Sequence, residues 1–358
     1  MKYLNALNKI NGLGPQRMKM LLGFFGEEER AWKASAQELS QSGIGPAMTQ
    51  KIIAQRPTIN PEEEWEKLTR ENIQILTPDN SDYPQLLKEI PSAPFVLYKK
   101  GPLDLNAAPL ISVVGSRQFT AYGKQAAESL VHDLTRAGLV IVSGLALGID
   151  SIAHRSTLEN GGKTIAVLGN SLDEKNIYPR ANINLAREIV ENGALLSDYP
   201  IETPAGDFTF PARNRLIAGL SLGTLIIEAG EKSGSLITAH LALDFNREVL
   251  AVPGSIFSSQ SVGTNQLLKK GAKLVMGVKD ILEELNLEEK NGLKNIPIKI
   301  PSNKEEAILL KILSADPIHI DNLSRISKLG TASLSATLSM MEIKGWIKDI
   351  GGQNYILI

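Results

Sequence analysis

The residues best suited to chemistry in this sequence are glycines, hydroxyl-bearing side chains and arginines that end or follow short apolar runs. Gly115, Ser116 and Arg117 follow the first run, LISVV. The second run, LVIVS, ends in Ser143 and is followed by Gly144 and Gly148. Glycine lets a ligand backbone come close, and Arg117 can bring a cation to a phosphate held by the N-terminus of the helix that opens near Gly123. Glycines that only pack helix against sheet are the plainer interpretation. Two such loops in succession favour a phosphate pocket.

Later loops repeat this pattern of small, hydroxyl-bearing and basic residues. The further candidates are Asn170, Arg180, Arg213, Asn214, Arg215, Ser233, Gly234 and Ser235. Tyr178 precedes a proline and is either a stacking platform or a packed loop anchor. Arg213 and Arg215 flank an asparagine at a predicted helix start, where they either pair with phosphate or cap the helix and bridge to acidic neighbours. No single loop predicts the site, but the recurrence of these residue types at the ends of several strands does.

The sequence offers no group of residues typical of catalysis. It contains no cysteine, and its four histidines, at positions 132, 154, 240 and 319, lack the spacing of metal ligands. We find neither a nucleophile beside a base nor a pair of neighbouring carboxylates. We therefore expect a binding protein rather than an enzyme, with no metal and no cofactor.

The elements that must position these loops lie between residues 110 and 287. Apolar, β-rich runs alternate there with helical stretches, a pattern typical of a mostly parallel sheet buried between two helical layers. Ligands of such sheets bind at the carboxyl ends of the strands. The sequence therefore predicts a Rossmann-like three-layer α/β core, with the candidate loops along one edge.

Two helical segments flank this core in the prediction. Residues 1–60 contain the similar turns GLGP and GIGP, typical of helix-hairpin-helix (SAM-like) helices, whose backbone amides can hold a DNA phosphate beside Arg17, Lys19 and Lys51. A helical packing module without DNA contact is the equally favoured alternative. Residues 302–358 are predicted to form a winged helix. Its recognition helix has few cations before Lys344, which favours a protein-interaction role over major-groove binding.

Two connecting segments complete the predicted organisation. Residues 61–109 are rich in proline and are predicted to be an extended connector, with one helix and short strands, that leads into the core and is ordered rather than flexible. Residues 288–301 are predicted to be a linker. The net charge of −1 gives no global basic field, so a nucleic-acid site must be a local concentration of cations. Neither an export signal nor a membrane span is indicated, and we expect a cytoplasmic protein.

Other functions of this fold class fit the residues less well. A dinucleotide-dependent oxidoreductase should have G-x-G-x-x-G in the first loop and an acid after the second strand, where this chain has GSRQFT and Ser143. The segment GGKT resembles the end of a phosphate-binding P-loop but precedes a strand instead of following one. A nucleotide phosphoribohydrolase of the lysine-decarboxylase-like family is the stronger alternative. Its P-G-G-x-G-T-x-x-E signature is matched only partly by Gly219–Thr224, and Glu228 lies one position too far along.

The order of the motifs between residues 75 and 285 resembles one family specifically. The succession is VVGSRQFTAYG, SGLALGIDSIAH, TIAVLG, YPRAN, LLSDYP, FPARNRLIAGLS, SGSLITA, EVLAVPGS and VGTNQLLKKGA. It is similar to that of the DNA-processing protein A family (DprA, also called Smf), members of which carry helix-hairpin-helix and winged-helix domains as well. Two departures are Asp198, where the family more often has Glu, and the extra residues 173–176 before Tyr178.

This resemblance implies a function and assigns roles to particular residues. It implies single-stranded DNA binding, dimerisation through the core, protection of incoming DNA, and loading of the RecA recombinase during natural transformation. Arg117 matches the DNA-contacting arginine of the family's GSR motif, and Arg180 matches a basic position after Tyr-Pro. The family's RNR element corresponds to 213–215 in this chain.

Overall fold

A computed structural model describes residues 1–288, 301, 303–314 and 316–357. The chain divides into two compact units, Met1–Leu293 and Lys294–Ile358. The predicted linker at 288–301 lies, apart from its two end residues, outside the described residues. In the part of the chain that the structure describes, no helix combines the length and the hydropathy that crossing a bilayer requires.

The first unit begins with six helices. They are α1 (Lys2–Asn8), α2 (Pro15–Phe25), α3 (Glu28–Lys33), α4 (Ala36–Gln41), α5 (Pro46–Gln55) and α6 (Pro61–Arg70). The two predicted hairpins separate α1 from α2 and α4 from α5. Gly12 and Gly45 adopt positive φ angles of 87° and 88°, and proline opens each second helix, where its missing N–H is not needed.

The predicted connector at 61–109 is integrated into the folded unit. It contains α6, β1 (Gln74–Leu76), α7 (Gln85–Lys88) and β2 (Leu97–Lys100). Helix α6 packs on α1, where Lys9 pairs with Glu64, and the Leu68 side chain is buried in the same core as the other helices. Strands β1 and β2 extend the central sheet, so the short elements of this segment are part of the folded unit.

The central sheet has nine strands within residues 1–288. Its remaining strands are β3 (Leu110–Val114), β4 (Val140–Ser143), β5 (Thr164–Val167), β6 (Ala194–Ser197), β7 (Gly223–Ile226), β8 (Glu248–Ala251) and β9 (Lys273–Leu274). The strand order is β1-β2-β6-β5-β4-β3-β7-β8-β9, with β3 to β9 parallel and β1 and β2 antiparallel to their neighbours. This confirms the predicted α/β class and the mostly parallel sheet.

Helices cover both faces of the sheet. They are α8 (Ala121–Arg136), α9 (Ile149–Glu159), α10 (Ile183–Asn192), α11 (Thr209–Leu220), α12 (Ser235–Asp244), α13 (Val262–Lys269) and α14 (Val278–Glu284). Strand β3 shows the two-residue alternation that separates the faces. Ile111 and Val113 pack with α8, α9 and α14, whereas Leu110 and Val114 pack with α11 and α12.

The chain order reverses between β3 and β7. Strands β4, β5 and β6 follow β3 in the chain and lie on one side of it in the sheet. After helix α11 the chain returns to the middle of the sheet, where β7 pairs with the other side of β3. The loops that leave β3 and β7 therefore diverge from adjacent strand ends. This is the topological switch point, where open parallel sheets bind their ligands.

The second unit is a winged helix, as predicted. Its elements are α15 (Lys304–Ile312), β10 (Ile318–His319), α16 (Ile320–Ser327), α17 (Thr331–Ile343), β11 (Ile347–Asp349) and β12 (Asn354–Leu357), with the strand order β10-β12-β11. Leu309, Leu323, Leu334 and Leu338 form the centre of its apolar core. The ammonium of Lys344 lies 2.6 Å from Glu306 and 4.6 Å from the Trp346 ring, so this cation is already engaged.

Candidate nucleic-acid interface

A cleft of about 580 Å³ opens at the switch point. The loops after β3 and β7 form two of its walls, and the first turns of α11 and α12 form the others. Its lining includes Arg117, Phe210, Lys232, Ser233 and Gln260. The predicted edge therefore carries a depression, and three of its lining residues, Arg117, Arg213 and Lys232, are cations.

The loop after β3 is held in place by its neighbours on both sides. The Ser116 hydroxyl donates to Gln260 Oε1 over 2.7 Å, and the Ile149 amide donates to the Ser116 carbonyl over 3.2 Å. Gly148 has a φ of 89°, and a Cβ there would lie 2.3 Å from the Ser116 carbonyl oxygen. These contacts fix the backbone from which Arg117 projects into the cleft.

Three of the predicted ligand-approach glycines instead meet protein atoms. A Cβ on Gly115 would lie 2.7 Å from the Ile149 side chain, and one on Gly144 would lie 2.6 Å from the Arg213 guanidinium. Gly148 admits the backbone of the Ser116 loop in the same way. Their role is therefore to let loops and side chains pack closely, which is the plainer of the two sequence interpretations.

Arg117 is exposed at the rim of the cleft. Its guanidinium carbon lies 5.8 Å from the centre of the Phe210 ring, and Phe210 lies 5.6 Å from Tyr178, centre to centre. Within residues 1–288, no carboxylate lies at ion-pair distance from it. A cation without a counter-ion in this part of the chain, over one ring of an aromatic pair, is suited to bind a phosphate next to an unpaired base.

The predicted phosphate position at the N-terminus of α8 is wrong. The buried Glu228 carboxylate accepts hydrogen bonds from the Thr120 amide, at 2.9 Å, and from the Thr120 hydroxyl, at 2.6 Å. A Cβ on Gly123 would lie 2.1 Å from the same carboxylate. The helix dipole is thus already matched by an internal anion. Glu228 is also withdrawn from the cleft, which disfavours the phosphoribohydrolase alternative.

The N-terminus of α12 offers a better position for an anion. Lys232, Ser233, Gly234 and Ser235 line the cleft there, and the hydroxyls of Ser233 and Ser235 lie 2.7 Å apart. A Cβ on Gly234 would meet nothing within 4 Å, so the approach is open. The exposed Lys232 was absent from the sequence candidates. A basic residue directly before a hydroxyl-rich helix start, as in this segment, is the sequence pattern that indicates such a position.

Arg213 lies under the cleft, and its predicted phosphate contact needs correction. Its side chain is only 4% exposed and donates to the carbonyls of Gly144, at 2.7 Å, and Val167. Burial lowers the pKa of Arg213 to about 10, although the neighbouring Asp150 carboxylate opposes this change. Burial likewise raises the pKa of Asp150. Both side chains hydrogen-bond to the backbone of Gly144 and so support the floor of the cleft.

Other predicted contacts also point into the protein. Arg215 donates to the Ser92 carbonyl, at 2.7 Å, and pairs with Asp198, away from the cleft lining. The Ser143 hydroxyl donates to the Val113 carbonyl over 2.7 Å. The buried side chain of Asn170 donates to the Ser171 carbonyl over 2.8 Å. The donor groups of all three side chains therefore bond to the protein, although the buried Oδ1 of Asn170 has no partner among the described residues.

Asn214 and Arg180 occupy intermediate positions. Asn214 lines the cleft, accepts from Arg213 Nε at 3.2 Å and donates weakly to the Gly234 carbonyl at 3.4 Å. It therefore connects α11 to the start of α12. Arg180 is exposed beside Tyr178, with one nitrogen directed at the Glu174 carbonyl, 3.1 Å away. The remaining nitrogens of its guanidinium are free to meet a ligand that passes Tyr178.

Family models match most of the chain. One described as "DNA recombination-mediator protein A" matches residues 74–286, and one described as "DprA winged helix domain" matches residues 297–353. The chain is 37% identical to Protein Smf of Synechocystis sp. over 99% of its length and 98% of that protein. It is 40% identical to DNA processing protein DprA of Bacillus subtilis over 71% of its length and 88% of that protein.

Two solved structures are similar as well. The structure of DNA processing protein A from Streptococcus pneumoniae has a TM-score of 0.68 and 37% identity, covering 79% of this chain and 98% of that chain. A structure of DNA processing protein A from Helicobacter pylori, described in terms of its single-stranded DNA binding mode, has a TM-score of 0.54 and 34% identity. That likeness covers 60% of this chain and 95% of that chain.

Proposed function

The chain belongs to the DNA recombination-mediator protein A (DprA/Smf) family, and from this premise we propose that it binds single-stranded DNA in the cleft between β3 and β7. We further propose that it acts in natural transformation, where it protects incoming DNA and loads RecA onto it, and that binding rather than catalysis is its activity. The observation that carries the first part is Arg117, an exposed cation that stacks on Phe210 beside Tyr178. The RecA and transformation steps are supported by the family alone.

The cleft is suited to a strand whose bases are accessible. Arg117 and Lys232 supply positive charge from two walls, and the hydroxyls of Ser233 and Ser235 can donate to phosphate oxygens at the start of α12. The aromatic rings of Phe210 and Tyr178 give unpaired bases a surface on which to stack. In a duplex the bases are already stacked and cannot reach such rings, whereas a single strand can splay them out.

We therefore expect tighter binding of single strands than of duplex. Fluorescence-anisotropy titrations with a labelled oligothymidine and with a duplex of equal length, each across a salt series, measure this preference. Affinity for the single strand should fall as salt rises, because phosphate contacts release counter-ions. Equal affinities for the two forms at every salt concentration would contradict the proposal.

The same proposal includes a homodimer formed through the core. Strand β9 is an edge strand, and the apolar side chains of Leu243, Leu274 and Met276 are exposed beside it, Met276 at 81%. Leu243 and Leu274 line one shallow groove. An exposed edge with apolar side chains is suited to pair with a second copy. Two clefts in one dimer would raise avidity for long strands.

Met276→Glu should convert the dimer into a monomer, because it places a charge in the proposed apolar contact. Multi-angle light scattering at micromolar concentration should give the mass of two chains for the wild type and of one chain for the variant. Met20→Glu, at an exposed methionine of α2, is the matched control and should stay dimeric. A wild type that remains monomeric with and without DNA would remove this part of the proposal.

The winged helix is proposed as a protein-contact unit rather than a DNA reader. Lys344 is engaged by Glu306, while Met340 and Ile343 of α17 are exposed apolar residues. Major-groove binding normally uses several cations on the recognition helix, and α17 itself, from Thr331 to Ile343, contains none. Its surface is better suited to a protein than to phosphates.

A further inference from the structure

The loop between β8 and α13 exposes two large apolar side chains. Ile256 is 82% exposed and Phe257 is 93% exposed. The loop is nonetheless an ordered turn. The Phe257 amide donates to the Ser255 hydroxyl over 3.2 Å, and the Ser258 amide donates to the Ser255 carbonyl over 3.0 Å. A fixed turn that holds an aromatic ring in solvent is suited to contact a ligand.

This loop is connected directly to the cleft. Its Gln260 accepts from the Ser116 hydroxyl over 2.7 Å through the side chain, and from the Ala229 amide over 2.8 Å through the carbonyl. Gln260 itself lines the cleft. The loop that presents Arg117 and the loop that presents Phe257 are therefore held against each other. Phe257 lies three residues before Gln260 in the same loop, so it is close to this end of the cleft.

The same loop also lines a second, open depression of about 550 Å³. Tyr122, Ser255 and Ser258 are among its lining residues. The Tyr122 hydroxyl donates to the Pro253 carbonyl over 2.7 Å, which fixes the half-exposed ring against the loop. We name Tyr122, Ile256 and Phe257 the outer platform.

We propose that the outer platform is a second base-stacking surface, on which the same single strand continues after it leaves the cleft. This inference rests on the proposed single-strand binding. Aromatic rings stack on any base, and the nearby hydroxyls of Ser255 and Ser258 can donate to phosphates. The loop sequence PGSIFSSQS contains no acidic residue, and the acidic residue that lines the depression, Glu228, is buried and accepts hydrogen bonds from Thr120. Its continuity with a cleft that holds two unpaired cations favours a nucleic-acid strand over a protein.

Phe257→Ala tests the outer platform through strand length. Oligothymidines of about 6 and about 20 nucleotides distinguish a strand confined to the cleft from one that extends beyond it. The variant should bind the long strand at least about fivefold more weakly than the wild type and the short strand equally well. Trp65→Ala removes an exposed aromatic ring of α6, outside both depressions, and should change neither affinity.

The outcomes separate this inference from the proposed function. A wild type that binds neither oligonucleotide contradicts both. A wild type that binds both, with Phe257→Ala unchanged on the long strand or weakened equally on the two lengths, overturns the outer platform alone. Photocrosslinking with iodouracil placed along the long strand gives a second readout, in which crosslinks to Tyr122 or Phe257 are expected. Light scattering must show the same mass for variant and wild type, so that lost dimer avidity does not imitate the result.

Discussion

Arg117→Ala should weaken single-stranded DNA binding by about 1–3 kcal/mol and make the slope of log affinity against log salt shallower by about 0.7. The side chain is exposed at the cleft rim, has no carboxylate at ion-pair distance among the described residues, and stacks on Phe210. Its removal therefore deletes one phosphate contact and a charge that no internal group replaces. Anisotropy titrations across a salt series measure both quantities.

Two further variants show whether geometry or charge alone is responsible. Arg117→Lys should restore only part of the affinity, because an ammonium keeps the charge but lacks the planar fork that binds phosphate in a bidentate manner. Arg155→Ala is the matched control, since Arg155 is an exposed arginine of α9 outside the cleft lining. It should leave both the affinity and the salt slope unchanged. If Arg117→Ala is folded by circular dichroism yet binds like the wild type, the cleft is not the binding site.

The same variant also tests the proposed transfer to RecA. RecA filaments should form faster on single strands when the wild-type protein is present, and Arg117→Ala should lose this acceleration together with DNA affinity. Filament formation that is equally fast with and without the wild-type protein would remove RecA loading from the proposal and leave single-strand binding intact.

The edge of the sheet that carries the cleft could be predicted from sequence because the apolar runs are local signals. The run LISVV is buried along its whole length as β3, so the next residues had to emerge at a carboxyl end. Arg117 was therefore placed correctly at the rim of a depression. The same reasoning placed Ser233 to Ser235 at the start of a helix that faces it.

Which way a side chain points was harder to predict, and 213–215 shows why. Arg213 and Arg215 are two residues apart on α11 and therefore project about 200° apart around the helix axis, so both could not face one cleft. The position of the Glu228 side chain could not be predicted in this way. Its partner Thr120 is 108 residues away, and no local sequence pattern indicates the contact.

The place of segment 61–109 in the central sheet could not be predicted from the sequence, for a related reason. Its prolines and short apolar runs are typical of a connector, but β2 pairs with β6, about 100 residues later in the chain. Long-range antiparallel pairing of a three- or four-residue strand leaves little periodicity to detect. The register Tyr98↔Ser197 is defined by the tertiary fold rather than by the segment itself.

Arg213→Met should lower the free energy of unfolding by about 3–5 kcal/mol, the largest effect on stability that we expect from a single change at the site. The substitution removes the hydrogen bonds to the carbonyls of Gly144 and Val167. It also removes a nearby positive charge that favours the ionised form of the buried Asp150. A methionine of similar length fills most of the space, so the loss reports charge and hydrogen bonding rather than a cavity. Urea denaturation followed by circular dichroism measures it.

The pH dependence of this loss identifies Asp150 as its origin. Burial raises the pKa of the Asp150 carboxyl, and the nearby Arg213 guanidinium opposes that rise, so Arg213→Met should raise the pKa further. When the folded-state pKa of Asp150 lies above the unfolded value near 3.9, the folded protein binds more protons than the unfolded protein at pH values between the two pKa values. The difference in free energy of unfolding between Arg213→Met and the wild type should therefore shrink as pH falls toward 3.9. Arg213→Met combined with Asp150→Asn should recover part of the stability at neutral pH, because no uncompensated charge is left buried. Equal stability of Arg213→Met and the control Arg155→Met would show that Arg213 does not support the floor of the cleft, and would return it to the set of possible phosphate contacts.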